Sequence, residues 1–126
     1  MEVFRYVRLF ADDDGASHFE DVELRLEPRD FAPPAPPLLV AALGEANGPV
    51  VLIGGAQGWG GEVPHSTPRR QTFSVLVGRF MITASKGVTR EFVPGDLLVL
   101  EDTWGEGHST RFLTDRVVVA ATGLAG

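Results

Sequence analysis

Glycine and proline interrupt this chain too often for a helix of useful length to form. The 126 residues include 15 glycines and 9 prolines, and no stretch between them keeps the 3.6-residue apolar period of an amphipathic helix. Short apolar runs lie between the breakers instead, which is the pattern of a β-sandwich or barrel. Residues 3–10 form the first run and end at Asp12-Asp13-Asp14-Gly15. In residues 19–26, Val22, Leu24 and Leu26 alternate with Glu23, Arg25 and Glu27, as in a strand with one wet face. The FAPPAPP segment at 31–37 cannot donate a regular ladder of hydrogen bonds, so an extended strap over the surface is expected.

Beyond the strap, residues 38–43 and 50–53 read as apolar strands around an Asn47-Gly48-Pro49 turn, and 54–61 as a glycine-rich loop carrying Trp59. Further strands are expected at 71–77, 80–84, 89–92, 97–101, 108–113 and 117–121. Turns are expected at Lys86-Gly87 and Pro94-Gly95-Asp96, and a second glycine loop at 104–107. About ten short strands at this spacing belong to closed antiparallel architectures. A single all-β domain over 1–126 follows, with N-terminal strands at 1–30, the strap at 31–37 and a barrel at 38–126.

Several function classes fall away on composition. The chain has no cysteine, which removes disulfides, thiolate metal sites and a cysteine nucleophile. A net charge of −6, with Arg69-Arg70 the one basic cluster, argues against nucleic acid, because phosphate neutralisation supplies most of such affinity. Glu2, Arg5 and Arg8 interrupt the first apolar run, unlike a signal peptide. No run approaches the roughly 20 residues that cross a bilayer. A cytoplasmic protein without membrane or nucleic-acid partners is expected. The GGAQGWGG stretch lacks a Gly-Lys-Ser/Thr ending, no G-x-S-x-G is present, and the DDDG turn lacks the later glutamate of a calcium loop.

From about Val50 to Thr122 the order of features resembles the conserved-barrel cupins. In that family a glycine-rich loop leads into H-x-H-x(3,4)-E-x(6)-G, and a later P-G-D turn starts a strand that runs toward another histidine. Here the first element is His65-x-Thr67-x(3)-Gln71-x(6)-Gly78, and the second is Pro94-Gly95-Asp96, then LLVLEDTWGEG, then His108. Thr67 stands in place of a histidine and Gln71 in place of a glutamate. The chain is similar to small bacterial single-domain cupins with an altered metal motif. The resemblance implies a cupin-like double-stranded β-helix or jelly-roll barrel, with the motif residues facing its interior and a homodimeric assembly.

Strand parity gives the candidate site. Positions 65, 67, 69 and 71 share one face of a strand, and His108, Thr110 and Phe112 share another. Neutral imidazoles of His65 and His108, with the Gln71 amide oxygen, can ligate a divalent transition metal such as Zn, Ni, Fe, Mn or Cu. Without metal, the two histidines can move a proton at neutral pH, with Thr67 and Gln71 orienting a carbonyl or hydroxyl. Arg69 can enter the barrel and clamp a carboxylate, while Arg70, of opposite parity, pairs with an acid such as Glu101 or Asp102. His18 is placed at the barrel mouth, and Trp59 and Trp104 form an aromatic lid or a plug. Asp96 is structural.

Two classes of function remain open on these residues. One is an enzyme with a barrel-interior site, acting on a small oxygenated or carboxylated metabolite by metal-dependent oxygenation or metal-free isomerase or lyase chemistry. The other is a non-catalytic module that binds a small ligand, with a plugged structural dimer as its limit. Exposed edges need covering, so strands 3–10 and 19–26 are the expected surfaces of a homodimer.

Overall fold

A computed structural model describes residues 2–126. Among them are ten strands and no helix: β1 Glu2–Ala11, β2 Ser17–Arg29, β3 Leu38–Val40, β4 Ala46–Gly55, β5 Gln71–Val77, β6 Phe80–Ala84, β7 Thr89–Phe92, β8 Leu97–Glu101, β9 His108–Phe112 and β10 Val117–Leu124. They form a seven-stranded sheet in the order β3-β2-β1-β8-β5-β10-β4 and a three-stranded sheet in the order β7-β6-β9. All pairings are antiparallel except β1 with β8. From β5 onward the chain crosses between the sheets: β5 in the large one, β6 and β7 in the small one, β8 large, β9 small, β10 large. The protein is an all-β molecule of the β-barrel or jelly-roll class. With no helix at all, none is long and apolar enough to cross a membrane.

The core fills the space between the sheets. Leu9, Leu98, Leu100, Val75 and Val119 come down from the large sheet onto Phe80, Ile82 and Phe92 of the small one. Phe80 stacks on Phe92 with ring centroids 5.5 Å apart, and Phe19 of β2 tilts against the same Phe92 at 6.4 Å. Alternation is clearest along β6, where Phe80, Ile82 and Ala84 are buried between half-buried neighbours. Gly78 lets the chain leave the large sheet for the small one. Its φ is +78°, and a Cβ there would lie 1.9 Å from the Arg116 carbonyl oxygen, so only glycine fits.

Four of the expected strands, β5 to β8, have the bounds read from the sequence, β9 starts where expected, and Val22, Leu24 and Leu26 are half-buried between exposed neighbours as expected. Three local readings need correction. Asn47-Gly48-Pro49 lies within β4 rather than in a turn, because β10 supplies a ladder that holds even a proline on an edge strand. The 31–37 segment does not strap the barrel. It folds back on itself, with the Ala35 amide donating to the Ala32 carbonyl at 2.9 Å, and returns β3 antiparallel to β2. β1 is no edge, since β2 and β8 flank it; the free edges of the large sheet are β3, β4 and the length of β2 ahead of its pairing with β3.

Candidate functional site

Pro64 and Pro68 interrupt the segment that lies beside β9, so its pairing is sparse. Three contacts hold it. Gly61 accepts from the Thr110 amide at 2.7 Å, His65 and His108 exchange backbone hydrogen bonds of 2.8 and 2.9 Å, and the Thr67 amide donates to the Asp102 carbonyl at 3.0 Å. The His65–His108 bridge is therefore built by the main chain, and it sets two residues far apart in sequence side by side. Gly107 makes the approach feasible: its φ is +71°, and a Cβ would sit 2.4 Å from the His65 carbonyl oxygen. The imidazole centroids come within 4.7 Å of each other.

Each ring is fixed through Nδ1. His65 Nδ1 lies 2.8 Å from the Val63 carbonyl oxygen, which can only accept, so Nδ1 carries the proton and donates. His108 Nδ1 donates to Asp102 Oδ2 at 2.5 Å, and Thr67 Oγ1 donates to the other oxygen of the same carboxylate at 2.7 Å. Asp102 is fully buried and His108 is 5% exposed. Among the described residues no buried side-chain nitrogen or oxygen lacks a partner, so the unbonded Nε2 of His108 opens onto space rather than protein. Both histidines thus present a lone pair at Nε2, with tautomer and orientation set from behind.

That space is a cavity of about 220 Å³ between the sheets. Phe73, Phe80, Ile82, Leu100, Val117 and Val119 make its apolar floor and walls. His65, His108, Gln71 and Thr110 supply the polar end, and Trp59, Phe112 and Ile53 the rim. Trp59 stacks on Phe112 at 5.2 Å and meets the His65 ring edge-on at 6.3 Å. A largely apolar cleft with a few convergent polar groups is the usual form of a small-molecule site.

Of the residues singled out in the sequence, the fold gathers His65, Thr67, Gln71, His108, Thr110, Phe112 and Trp59 around this one cavity. Thr67 reaches it, but its hydroxyl is committed to Asp102 and so supports the site rather than offering a contact. Three residues lie elsewhere. Arg69 is exposed beside Gly48 and Gly123, because the chain bends at Pro68 and period-two parity does not carry through a bend. His18 pairs its Nε2 with Asp12 Oδ2 at 2.6 Å in the β1–β2 turn, next to Phe10. Trp104 packs on Gly15 and leaves the lid to Trp59 alone. Arg70 meets Glu101 as expected, which Arg8 also binds from β1.

Asp102 is the site residue whose place behind His108 the sequence reading missed, having offered it only as a partner for Arg70. The signal was present: Leu98 and Leu100 point inward along β8, so parity carries position 102 inward as well, and an acid on that face needs an internal partner.

The metal implied by the sequence resemblance can be tested against these donors. Among the described residues no three His, Cys, Asp or Glu side chains converge as a metal shell. The one carboxylate at the site stands behind His108 rather than beside its Nε2. Two imidazoles and the neutral Gln71 amide remain, which falls short of the three firm donors that catalytic zinc-type sites carry. The donor set does not fit a resident metal, while the Asp–His–His arrangement suits proton transfer. In comparison with known proteins, no family model matches the chain, and none of the curated proteins matches it.

Proposed function

We propose that this chain is a small-molecule enzyme on a cupin-like double-stranded barrel, acting by metal-free acid–base chemistry of the isomerase or lyase kind. One observation carries the reading: a buried carboxylate, Asp102, holds His108 so that its Nε2 faces a cavity in which a second oriented imidazole, His65, stands 4.7 Å away ring to ring. A carbonyl compound seated there would meet one imidazole able to take a proton from the carbon next to the carbonyl. The other, once protonated, would be able to deliver a proton to the oxygen. Gln71 and Thr110 stand within the same cavity to orient the oxygen. Asp102 touches no substrate; it acts as a positioning residue through His108. The order of strands from β4 to β10 and the placing of His65 and His108 at one cavity support the cupin part of the reading.

The test is exchange of ketone α-hydrogens for deuterium, followed by NMR in D2O over a panel of small ketones. Wild-type protein is expected to accelerate exchange for at least one member, and His108→Ala and His65→Ala to lower that acceleration by about 10²–10⁴-fold. Exchange no faster than buffer across the panel would leave a binding module as the reading. Metal analysis of the same preparations separates the oxygenase alternative: stoichiometric bound metal lost in His65→Ala would replace acid–base chemistry with metal chemistry.

Homodimer formation belongs to the same proposal, with its surface moved to β4. That strand carries no charge from Ala46 to Gly55, has one free edge, and exposes Val50 and Leu52 to 70% each. An edge of this kind pairs readily with a second copy of itself, because a two-fold axis sets the same strand on both sides.

A further inference from the structure

Among the described residues, none that lines the cavity is a lysine, arginine, aspartate or glutamate. Arg69 lies outside it, Arg70 is tied to Glu101, and the Asp102 carboxylate accepts from both His108 and Thr67. His65, Trp59 and Ile53 at its mouth are exposed, so a ligand bearing a carboxylate or phosphate would keep part of its hydration there, but its buried part would gain no fixed positive charge in return, which is a net cost.

Size narrows the class further. A dry apolar cavity of about 150 Å³ takes up benzene, and this one is about 220 Å³. One ring with a short substituent fits that volume. Two of the polar groups, His65 and His108, stand side by side, and the Trp59–Phe112 stack gives the cavity a flat aromatic wall, against which a ring packs favourably. We infer that the ligand of this site is a neutral, single-ring molecule with one carbonyl or hydroxyl oxygen, the oxygen held at His65 and His108 and the ring against the apolar wall. The inference rests on the acid–base reading for where the oxygen goes. It keeps the oxygenated half of the class expected from the sequence and drops the carboxylated half, because the one cation proposed as a clamp, Arg69, is not in the cavity.

Three probes of similar shape test it at neutral pH: acetophenone, neutral with a carbonyl; benzoate, of the same size but anionic; and toluene, a ring without oxygen. Trp59 fluorescence in a Trp104→Phe background reports occupancy, since Trp104 lies away from the cavity. Imidazole resonances of His65 and His108 in the wild type report where the oxygen sits. Acetophenone is expected to bind at least about tenfold more tightly than benzoate, because the apolar walls strip part of the carboxylate's hydration and no cation in the cavity replaces it. It is also expected to bind more tightly than toluene and to shift both imidazoles. Gln71→Arg is expected to reverse the order by placing a cation in the cavity, and circular dichroism checks that the variant is folded. Benzoate binding as tightly as acetophenone in the wild type overturns the inference, as does the absence of any response to all three probes. Neutral preference without ketone exchange would remove the acid–base reading alone. Ketone exchange with benzoate preferred would remove the ligand class alone.

Discussion

At the scale of single residues, the site depends on a group that touches no ligand. Asp102 is wholly buried and accepts from two donors. Asparagine keeps the shape and can accept one of those hydrogen bonds, but its NH2 group faces a donor at the other. Asp102→Asn is therefore expected to release His108 to the other tautomer. Three readouts follow: a fall in ketone exchange of about 10²–10⁴-fold, a changed pH profile, and an altered 15N signature of the His108 ring. A purely structural role for Asp102 would lower the melting temperature and leave the tautomer of the folded protein as it was. Histidine spacing was legible in the sequence, and His65 and His108 do meet. Arg69 was misplaced because parity was extended through Pro68, where strand geometry stops.

Among the elements, β9 and the 61–67 segment form the site, while β4 forms its open flank. β4 pairs with β10 on one side and with nothing on the other. Leu52 faces away from the cavity, opposite Ala120 of β10, whereas Ile53 lines the cavity rim. Leu52→Lys is thus expected to weaken self-association without changing ligand binding, since a charge on an exposed apolar edge blocks strand pairing. Light-scattering mass across a concentration series checks this: a dimer in the wild type shifted toward monomer in the variant is the expected result. A wild type that is monomeric at every concentration would remove β4 as an interface. Strands β5 to β8 were read from sequence with their bounds because turn residues close both ends. β4 was read short, because its first residues are held by the partner strand β10 rather than by their own propensity.

For the whole molecule, the acidic surface groups tie stability to pH. Burial pushes the Glu101 carboxyl up, but hydrogen bonds and charge from Arg70 and Arg8 outweigh it and hold the group below its ordinary value near 4.5. The bond from His18 holds Asp12 below its ordinary range, and Arg90 does the same for Asp21. A carboxyl whose folded value is depressed binds fewer protons in the folded state, so it stabilises the fold above its unfolded value. That contribution is lost as pH falls through the depressed one. Melting temperature is therefore expected to hold from neutral pH down to about 5 and to fall steadily below it. Glu101→Gln is expected to cost about 1–3 kcal/mol at neutral pH and to flatten the acid limb. An unchanged acid limb in that variant would mean that the Arg8–Glu101–Arg70 cluster does not couple the sheet to pH.

The sequence by itself determined the class of secondary structure, the number of strands and the inward face of a few of them, such as Val22, Leu24 and Leu26 on β2 and His108, Thr110 and Phe112 on β9, since glycine, proline and two-residue alternation act locally on the backbone. It also placed the two histidines at strand positions of the right parity. Only the tertiary structure decided which strands became neighbours, where the chain bends at Pro68, and that a buried acid stands behind His108. It decided, too, that no arginine enters the cavity. Those outcomes depend on close packing between residues distant along the chain, and local periodicity carries no information about which distant surface a side chain will meet.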